Sequence, residues 1–534
     1  MSSYYKSMKC YLVTYGCQMN KYTSRKAEGI LNKLGYAITT QEEEADLILI
    51  NTCSVRASAE ERAMGRIQTL AGLKRQNPNV KIGVMGCMAA RLGNSLFELI
   101  PKVDFSLGPN EIERLESVIS KFEIMKVDFA LGPNKMGRLP ALIKKGCAPF
   151  EQTISCIPDT LSLIDKRRAP VHTVSSSLKA FVAISTGCDN FCSYCIVPFV
   201  RGSLVARPSG DILAEIKDLA ESGTKEITLL GQDVTSFRLN GTSFPELLIC
   251  VADISGVERI RFLTSHPRGV DDRLIDVVAD NPKVCPHFHL PIQSGSDRVL
   301  RDMNRGYTSK DYERLTDRIR ERIPEVSITT DIIVGFPTEE KSDFDATLKA
   351  IERVRPDSSF CFAYSNRPGT KAERLPEIDQ KEKHERLKRL IELTKAISGE
   401  KNSRVIGTRQ DVLVEGRNPK DADGELRIAD CGSRIEKRDE EELRIADCEE
   451  RIEKRDEEEL RIADCGSRIE KRDEEELRIA DCEERIERPK ALMGRTATNK
   501  VCTFEGEDSL IGKIVSVYIT GASAYTLKGG LYRE

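Results

Sequence analysis

The sequence predicts an α/β protein in three parts: an N-terminal open parallel α/β sheet, a central partial (β/α) barrel and a small C-terminal β-barrel. Strand-like and helix-like segments alternate from residue 9 to about 105 and again from 180 to about 364, and short β-like runs gather near the end. Alternating strands and helices imply a parallel sheet covered by helices. Small all-β modules tend to close into barrels.

The N-terminal sheet is predicted from three short apolar segments that are typical of buried strands, at 10–15, 47–50 and 82–85. Helical periodicity covers 21–34 and 57–75 between them. Each of these strands is therefore expected to be followed by a helix that crosses back over the sheet.

A local tandem duplication follows the third strand. Residues 103–110 read VDFSLGPN and residues 127–134 read VDFALGPN. We expect only one copy to occupy the native strand position. The segment from about 144 to 177 has little periodicity and is interpreted as a linker or insertion.

The central part repeats the alternation six times, which favours an incomplete barrel over an open sheet. Helical segments at 210–222, 271–281 and 310–322 lie between the strands, and a charged helix is predicted at about 379–399. The six candidate strands are 180–185, 226–230, 259–264, 287–290, 328–334 and 359–363.

The C-terminal β-like runs, at 410–415, 500–504, 512–519 and 524–531, are interrupted by a 17-residue repeat that begins ELRIADC and covers 425–488. The repeat is rich in good helix formers, and we interpret it as a solvated insertion without chemistry, helical or disordered, with a stacked or partner-binding role as the alternative. It holds 25 acidic and 15 basic residues against a net charge of −3 for the whole chain. The rest of the chain is therefore net positive, which is compatible with an RNA partner.

The composition points to a cytoplasmic protein. No run of about 18 apolar residues suggests a membrane span, and the first residues lack the pattern of a secretory signal. The chain contains 17 cysteines. Clustered cysteines in the cytosol more often bind metal or do redox chemistry than form disulfides.

The strongest motif is GCDNFCSYCIVPFVR at 187–201, in which Cys188, Cys192 and Cys195 are spaced C-x-x-x-C-x-x-C after a predicted strand. Three thiolates from one loop can hold three irons of a 4Fe–4S cube and leave the fourth open for a small chelating ligand. Zinc would need a fourth ligand, and no nearby Cys or His supplies one. The motif therefore favours an iron–sulfur cluster over a zinc site or three unrelated thiols.

Three further cysteines each stand between a predicted strand and a helix: Cys17 in YGCQMN, Cys53 in NTCSVR and Cys87 in MGCMAAR. Loops that follow parallel strands emerge at one edge of the sheet, where ligand sites gather. We therefore expect these thiols to meet and hold a second cluster. Three independent buried cysteines are the alternative.

These motifs resemble those of the radical-SAM methylthiotransferase family, and their residues match its MiaB branch. Three further segments carry the same resemblance: HLPIQSGSDRVLRDMNRGY, TDIIVGFPTE and YSNRPGT. The resemblance implies a barrel of radical-SAM type, two 4Fe–4S clusters, one of which chelates S-adenosylmethionine (SAM), and a C-terminal TRAM domain around GRTATNKV that binds tRNA. The family's auxiliary ligands carry over to Cys17, Cys53 and Cys87.

The implied reaction is methylthiolation of C2 of N6-isopentenyladenosine at position 37 of tRNA. One SAM donates the methyl group and a second is the radical source, so the clusters and SAM carry the chemistry and no catalytic side chain is assigned. The resemblance also implies a sulfur donor and a reductant protein such as flavodoxin or ferredoxin. We expect a monomer and no membrane partner.

Two residues are predicted SAM contacts. Gln232 in LLGQDV ends the second barrel strand beside Asp233, and Gly335 in IVGFP suits close backbone approach to the adenosyl group. His287 and His289 point to one face of a strand and are interpreted as packed wall residues. Arg201, Arg207 and Arg268 are candidates for phosphate or SAM carboxylate, although most arginines cover surface.

The predicted domains are an auxiliary-cluster domain at 8–140, a linker or insertion at 141–177, a radical-SAM core at 178–400 and a TRAM domain at 401–534 interrupted at 425–488. Two alternatives stay open. The same chemistry could act on threonylcarbamoyladenosine in tRNA or on a ribosomal-protein aspartate. The chain could also be a noncatalytic iron–sulfur RNA-binding protein, since fold alone does not establish activity.

Overall fold

A computed structural model of the chain describes residues 8–55, 57–130, 178–418 and 491–532. Within these ranges no helix is both long and apolar enough to cross a lipid bilayer.

The N-terminal part is an open sheet of five parallel strands in the order β2-β1-β3-β4-β5. The strands are β1 Lys9–Thr14, β2 Ala37–Thr39, β3 Leu47–Thr52, β4 Lys81–Gly86 and β5 Phe105–Leu107, and the helices are α1 Gln18–Lys33, α2 Ala57–Gly72, α3 Cys87–Leu92, α4 Ser95–Leu99 and α5 Leu115–Ala130. Strand β3 is wholly buried, with Ile48 and Ile50 in one apolar cluster and Leu47 and Leu49 in another. The sheet is thus covered on both faces, as a parallel sheet requires.

The two copies of the duplicated sequence differ in structure. The first copy contains β5, which pairs with β4 at the edge of the sheet. The second copy begins at Val127 within the last turn of α5, and its residues beyond Ala130 lie outside the described ranges. One copy therefore occupies the strand position, as expected.

The central part is a partial barrel of parallel strands. Two three-stranded sheets, β12-β9-β6 and β13-β14-β15, are joined by a parallel bridge between Ile260 and Val284. The six strands are β6 Lys179–Ala183, β9 Glu226–Leu230, β12 Arg259–Phe262, β13 His287–His289, β14 Ser327–Val334 and β15 Ser358–Ala363. Among the described pairings none joins β6 to β15, so the barrel stays open as the sequence predicts.

Two short antiparallel ribbons and eight helices complete this part as far as the structure describes it. The ribbons are β7 Ser185–Thr186 with β8 Val205–Ala206, and β10 Arg238–Leu239 with β11 Thr242–Ser243. The helices are α6 Val197–Arg201, α7 Ser209–Glu221, α8 Phe244–Ala252, α9 Asp272–Asp280, α10 Asp297–Asp302, α11 Ser309–Arg322, α12 Lys341–Val354 and α13 Gln380–Ser403. Side-chain caps fix several starts, such as Asp271 on α9 and the capping box of Thr308 and Asp311 on α11.

The C-terminal part is a closed five-stranded barrel in the order β16-β17-β18-β20-β19. Its strands are β16 Arg409–Arg417, β17 Ala491–Thr496, β18 Val501–Glu505, β19 Ile514–Ala522 and β20 Thr526–Leu531. The repeat at 425–488 falls between β16 and β17 and lies outside the described residues. Its helical character therefore remains a prediction.

This barrel docks on the central part through two buried arginines of β12. Arg259 donates to the carbonyl oxygens of Arg495 and Asp411, at 2.9 and 2.8 Å. Arg261 donates to those of Ala497 and Thr496, at 2.8 and 2.7 Å. Backbone carbonyls recognised in this way fix the orientation of the barrel.

Candidate active site: two cysteine triads

The first group of thiols lies at the carboxyl edge of the N-terminal sheet; we call Cys17, Cys53 and Cys87 the sheet-edge triad. Cys17 precedes α1, Cys53 follows β3 and Cys87 begins α3. Their strands β1, β3 and β4 are neighbours in the sheet, so the tertiary fold brings the three thiols together. The Cys17 thiol donates to the side-chain oxygen of Asn20 at 3.7 Å, and the sulfur of Cys53 accepts from the amide of Val55 at 3.3 Å.

A glycine allows this close approach. A Cβ atom on Gly16 would lie 2.4 Å from the Cβ of Cys53 and 3.1 Å from its sulfur. Gly16 also has a φ of +123°, which L side chains rarely adopt. The residue before Cys17 is therefore restricted to glycine by both space and backbone conformation.

The protonation of the sheet-edge triad is uneven. The neighbouring Cys53 side chain and the guanidinium of Arg201 lower the pKa of Cys17. The Cys17 side chain and burial raise the pKa of Cys53, and burial raises that of Cys87. Cluster ligands must be thiolates, so Cys53 and Cys87 would release protons on binding.

The second group is carried by one loop between β7 and α6; we call Cys188, Cys192 and Cys195 the loop triad. The amide nitrogen of Asn190 donates to the sulfur of Cys188 at 3.4 Å, and the guanidinium of Arg305 donates to that of Cys192 at 3.3 Å. Burial raises the pKa of Cys195 to about 12. Hydrogen-bond donors directed at sulfur suit thiolate ligands.

The backbone of this loop is tightly constrained. Phe191 has a φ of +44°, and the carbonyl oxygen of that residue accepts a hydrogen bond from the Asn304 side chain at 3.0 Å. Gly187 has a φ of +77°, and a Cβ there would lie 2.0 Å from the carbonyl oxygen of Ser203. Left-handed residues of this kind persist where the surrounding structure holds them.

The sheet-edge triad packs against the chain that follows the loop triad, at the interface between the sheet and the barrel. Cys87 packs in one apolar cluster with Ile196 and Val200, which follow the loop triad. Arg201, on the same short helix, donates to the side-chain oxygen of Asn20 at 3.1 Å. The sheet-edge triad therefore lies across this interface from the helix that leaves the loop triad.

The donor sets fit clusters better than single ions. No group of three or more His, Cys, Asp or Glu side chains among the described residues is arranged to hold one metal ion. In a 4Fe–4S cube each thiolate binds its own iron, so the sulfurs need not converge on a point. All six cysteines are free thiols, which leaves them available as ligands.

Unpartnered polar atoms mark the carboxyl edge of the barrel beside the loop triad. Several buried side-chain oxygens have no hydrogen-bond partner in the described structure, and those of Ser185, Gln232, Ser265 and Gln293 follow the strands β6, β9, β12 and β13. A buried polar atom without a partner costs about 1–3 kcal/mol. Their grouping at a strand-end edge fits a polar ligand such as SAM.

The predicted residues Gln232 and Asp233 have different environments. Asp233 is nearly fully buried and accepts hydrogen bonds from the Thr235, Ser236 and Asn190 side chains and from two backbone amides. It therefore organises the loop. Gln232 retains a free acceptor, which is compatible with the predicted SAM contact.

Gly335 has a structural reason to be glycine. Its φ is +70°, and a Cβ there would lie 2.5 Å from the Cγ of Lys383 on α13. The side chain of Lys383 therefore occupies the space beside the Cα atom of Gly335. The predicted SAM contact at this residue stays a prediction.

The remaining candidates have ordinary partners or positions. His287 and His289 both hydrogen-bond the Thr329 hydroxyl, at 3.1 and 3.0 Å, as packed wall residues do. Arg207 hydrogen-bonds Glu215 at 2.7 Å, and Arg268 is exposed. Sequence reasoning missed Arg305, although it lies in the quoted MNRGY segment; only the fold shows that it reaches Cys192.

Comparisons with known proteins identify the three parts of the chain. Residues 9–108 match the model described as uncharacterized protein family UPF0004, residues 182–351 match the radical SAM superfamily and residues 480–531 match the TRAM domain. The chain is therefore a radical SAM enzyme, of the class that uses SAM with an iron–sulfur cluster, and its C-terminal barrel is a TRAM domain.

Its relatives define the family more narrowly. The tRNA-2-methylthio-N(6)-dimethylallyladenosine synthase of Thermoanaerobacter pseudethanolicus is 39% identical over 98% of this chain and 93% of that protein. The enzyme of the same name from Dictyoglomus thermophilum is 37% identical over 98% and 99%. The chain belongs to this family, the MiaB-type radical-SAM methylthiotransferases.

Among solved structures, the radical SAM methyltransferase TsrM of Kitasatospora setae has a TM-score of 0.49 and 15% identity, over 78% of this chain and 79% of that one. This likeness carries no functional conclusion.

Proposed function

We propose that this protein methylthiolates C2 of N6-isopentenyladenosine at position 37 of tRNA, with one SAM as methyl donor and a second as radical source. The observation that carries the proposal is the placement of two cysteine triads at one interface between sheet and barrel. Full-length similarity to synthases of this name supports the choice of substrate.

The ligand assignment is part of the proposal. Cys188, Cys192 and Cys195 would hold the 4Fe–4S cluster that chelates SAM, and the sheet-edge triad would hold the auxiliary one. When bound, these groups would supply one-electron cleavage of SAM and the sulfur to be transferred. The protein itself positions the two sites and shields them from water.

The chain's own residues explain how these positions are fixed. Asn20 donates to the carbonyl oxygens of Tyr15 and Thr52, at 2.9 and 2.8 Å, and so ties together the ends of β1 and β3. The backbone carbonyl of Arg201 accepts from Asn110 at 2.9 Å. The Asn20 bonds fix the sheet edge, and the Asn110–Arg201 bond links it to the barrel, an arrangement that radical transfer across the interface requires.

The proposal also includes the macromolecular partners, the domain limits and one SAM contact. The TRAM barrel would bind tRNA, and a flavodoxin- or ferredoxin-like reductant and a sulfur donor would act with it. We also propose a cytoplasmic monomer with the domain limits 8–140, 178–400 and 401–534, the last interrupted by the repeat. Gln232 would accept a hydrogen bond from SAM.

Nucleoside mass spectrometry tests the substrate. Cells that lack the gene should lose 2-methylthio-N6-isopentenyladenosine from tRNA and regain it on complementation. An unchanged level would overturn the choice of substrate, and loss of a methylthio-threonylcarbamoyl nucleoside instead would favour that sister activity. Failure of reduced, reconstituted protein to cleave SAM to 5′-deoxyadenosine would favour a noncatalytic iron–sulfur protein.

A further inference from the structure

Each cysteine triad has one deeply buried arginine. Arg201 is 4% exposed and Arg305 is 5% exposed. Arginine is almost never fully buried without partners, because removing its charge from water is costly. The partners of these two residues therefore indicate their roles.

Arg305 serves the loop triad. Its guanidinium donates to the sulfur of Cys192 at 3.3 Å and to the carbonyl oxygen of Pro291 at 3.0 Å, and its Nε donates to the hydroxyl of Tyr307 at 3.0 Å. None of these partners is a carboxylate. Within the described contacts the charge of Arg305 is therefore directed at a thiol and at neutral groups.

Arg201 lies beside the sheet-edge triad. Its neighbour Val200 packs against Cys87. The Cys17 thiol donates to the side-chain oxygen of Asn20 at 3.7 Å, and Arg201 donates to the same neutral oxygen at 3.1 Å. Asn20 is in turn fixed by two backbone carbonyls, so Arg201 is held in a defined orientation.

A buried arginine beside a cluster would stabilise the reduced state of that cluster. Three thiolates make each cluster site negative, and reduction of a cluster adds a further negative charge. In a buried site a nearby cation stabilises the more negative state, and a hydrogen bond to sulfur acts in the same direction. Both effects raise the reduction potential of the cluster.

We propose that Arg201 and Arg305 are positioning residues that separately set the reduction potentials of the sheet-edge and loop clusters. The inference rests on the proposed function, since it requires a cluster at each triad. It goes further by assigning each cluster its own charge-compensating side chain. The two potentials would then be adjustable independently in one protein.

The test measures the midpoint potential of each cluster by redox titration followed by electron paramagnetic resonance. Cys17/Cys53/Cys87→Ala chains report the loop cluster alone, and Cys188/Cys192/Cys195→Ala chains report the sheet-edge cluster alone. Arg201→Gln and Arg305→Gln remove the charge but retain a donor. Iron and sulfide content is measured on every sample.

Arg201→Gln should make the sheet-edge potential more negative, with at least about a tenfold loss in the reduction equilibrium constant, or about 59 mV for one electron. The loop cluster should not respond. Arg305→Gln should give the reverse pattern. Arg201→Lys and Arg305→Lys keep the charge and should stay near the parent potentials.

The matched control is Arg207→Gln. Arg207 also crosses the interface, where it donates to the hydroxyl of Tyr22 at 3.1 Å and to Glu215, but it contacts no thiol. Its loss should move neither potential, even if it lowers stability. A shift as large as that of Arg201→Gln would show a general effect of the interface and overturn the inference.

Two further outcomes separate this inference from the proposed function. A parent protein that assembles no clusters overturns both. A parent with two clusters whose potentials do not respond to either glutamine variant overturns the inference alone. If a glutamine variant loses its cluster, the lysine variant at the same position tests the inference instead. A midpoint potential far from that of the parent, although the positive charge is retained, would contradict the proposal.

Discussion

The two triads are built by different levels of structure. The three cysteines of the loop triad lie within eight consecutive positions, 188–195, so a single loop determines their spacing. The sheet-edge triad spans positions 17–87 and exists only because β1, β3 and β4 are adjacent in the sheet. Local spacing alone can suggest a cluster, whereas a site made from three strand ends depends on the whole domain.

The largest expected effect comes from removing each triad in turn. Cys188/Cys192/Cys195→Ala should abolish SAM cleavage and product together, because the radical source is lost. Cys17/Cys53/Cys87→Ala should retain reductive cleavage of SAM to 5′-deoxyadenosine but form no methylthio product. Both are measured by chromatography with reconstituted protein and isopentenylated tRNA.

The control for this comparison is Cys250→Ala, an exposed free cysteine on α8 that belongs to neither triad. It should keep both reactions. If the sheet-edge variant made product, or if both triad variants lost SAM cleavage equally, the division of labour between the triads would be wrong.

Glycine substitutions should weaken cluster binding at one triad at a time, with a smaller loss of activity than removal of the cysteines. Gly16→Ala and Gly187→Ala both force a left-handed residue, at about 1–2 kcal/mol, and add clashes at 2.4 and 2.0 Å. Each should lower iron content by about one cluster per chain, with the other cluster retained. Iron analysis and the spectra of the remaining cluster would show which triad is lost.

Matched glycines separate strain from clash. Gly35 and Gly202 have φ values of +81° and +76°, and a Cβ at either would meet nothing within 4 Å. Gly35→Ala and Gly202→Ala should cost stability without loss of iron. Equal iron loss in these controls would mean that backbone strain, rather than the close packing at each triad, governs cluster binding.

The sequence predicted the local features well and the long-range ones only in outline. The bounds of β9 were predicted to the residue, and most strands to within two. Strands β2 and β17 were not predicted: β2 has only three residues, and β17 directly follows the repeat, so neither shows a clear periodicity. Fold class nevertheless followed from the alternation alone.

At the site, too, local motifs could be predicted from the sequence, whereas contacts between distant residues could not. All six thiols were predicted because each stands directly after a strand or in one motif. The contact of Arg305 with Cys192 joins positions 113 residues apart, and that of Arg201 with Asn20 joins positions 181 residues apart, which no spacing reveals. The packing of Lys383 beside Gly335 likewise joins residues that are distant in sequence, and the predicted SAM contact of Gly335 stays a prediction.

A moderate effect is expected at the barrel edge beside the loop triad. Gln232→Ala should weaken SAM binding by about 1 kcal/mol, roughly fivefold, through one lost hydrogen bond. The cluster should remain. The ligand-free protein should not be destabilised by loss of this contact, because the oxygen has no partner there.

Isothermal titration of SAM and thermal unfolding give the two readouts, with Gln76→Ala on the exposed face of the sheet domain as the control. Unchanged SAM affinity in Gln232→Ala, or a loss equal to that of the control, would remove Gln232 from the binding site. It would also show that the unpartnered edge of the barrel has another occupant.

The smallest effect is expected far from both triads, at the repeat. Strands β16 and β17 pair directly at Arg417 and Leu492, and the amide of Asn418 donates to the carbonyl oxygen of Ala491 at 2.8 Å. A two-residue Asn-Gly turn could therefore replace the chain between them. Deletion of 425–488 with its flanks should leave product formation and the melting temperature nearly unchanged.

The deletion should still change one quantity, the affinity for tRNA. Removing residues 419–490 takes away 27 acidic and 17 basic residues and makes the chain more positive, so binding should tighten modestly at low salt, and the difference should fade as salt screens the charge. A filter-binding series at several salt concentrations measures this. Loss of the barrel fold or of product on deletion would instead give the repeat a structural or catalytic role, and the chemistry would no longer depend on the two triads alone.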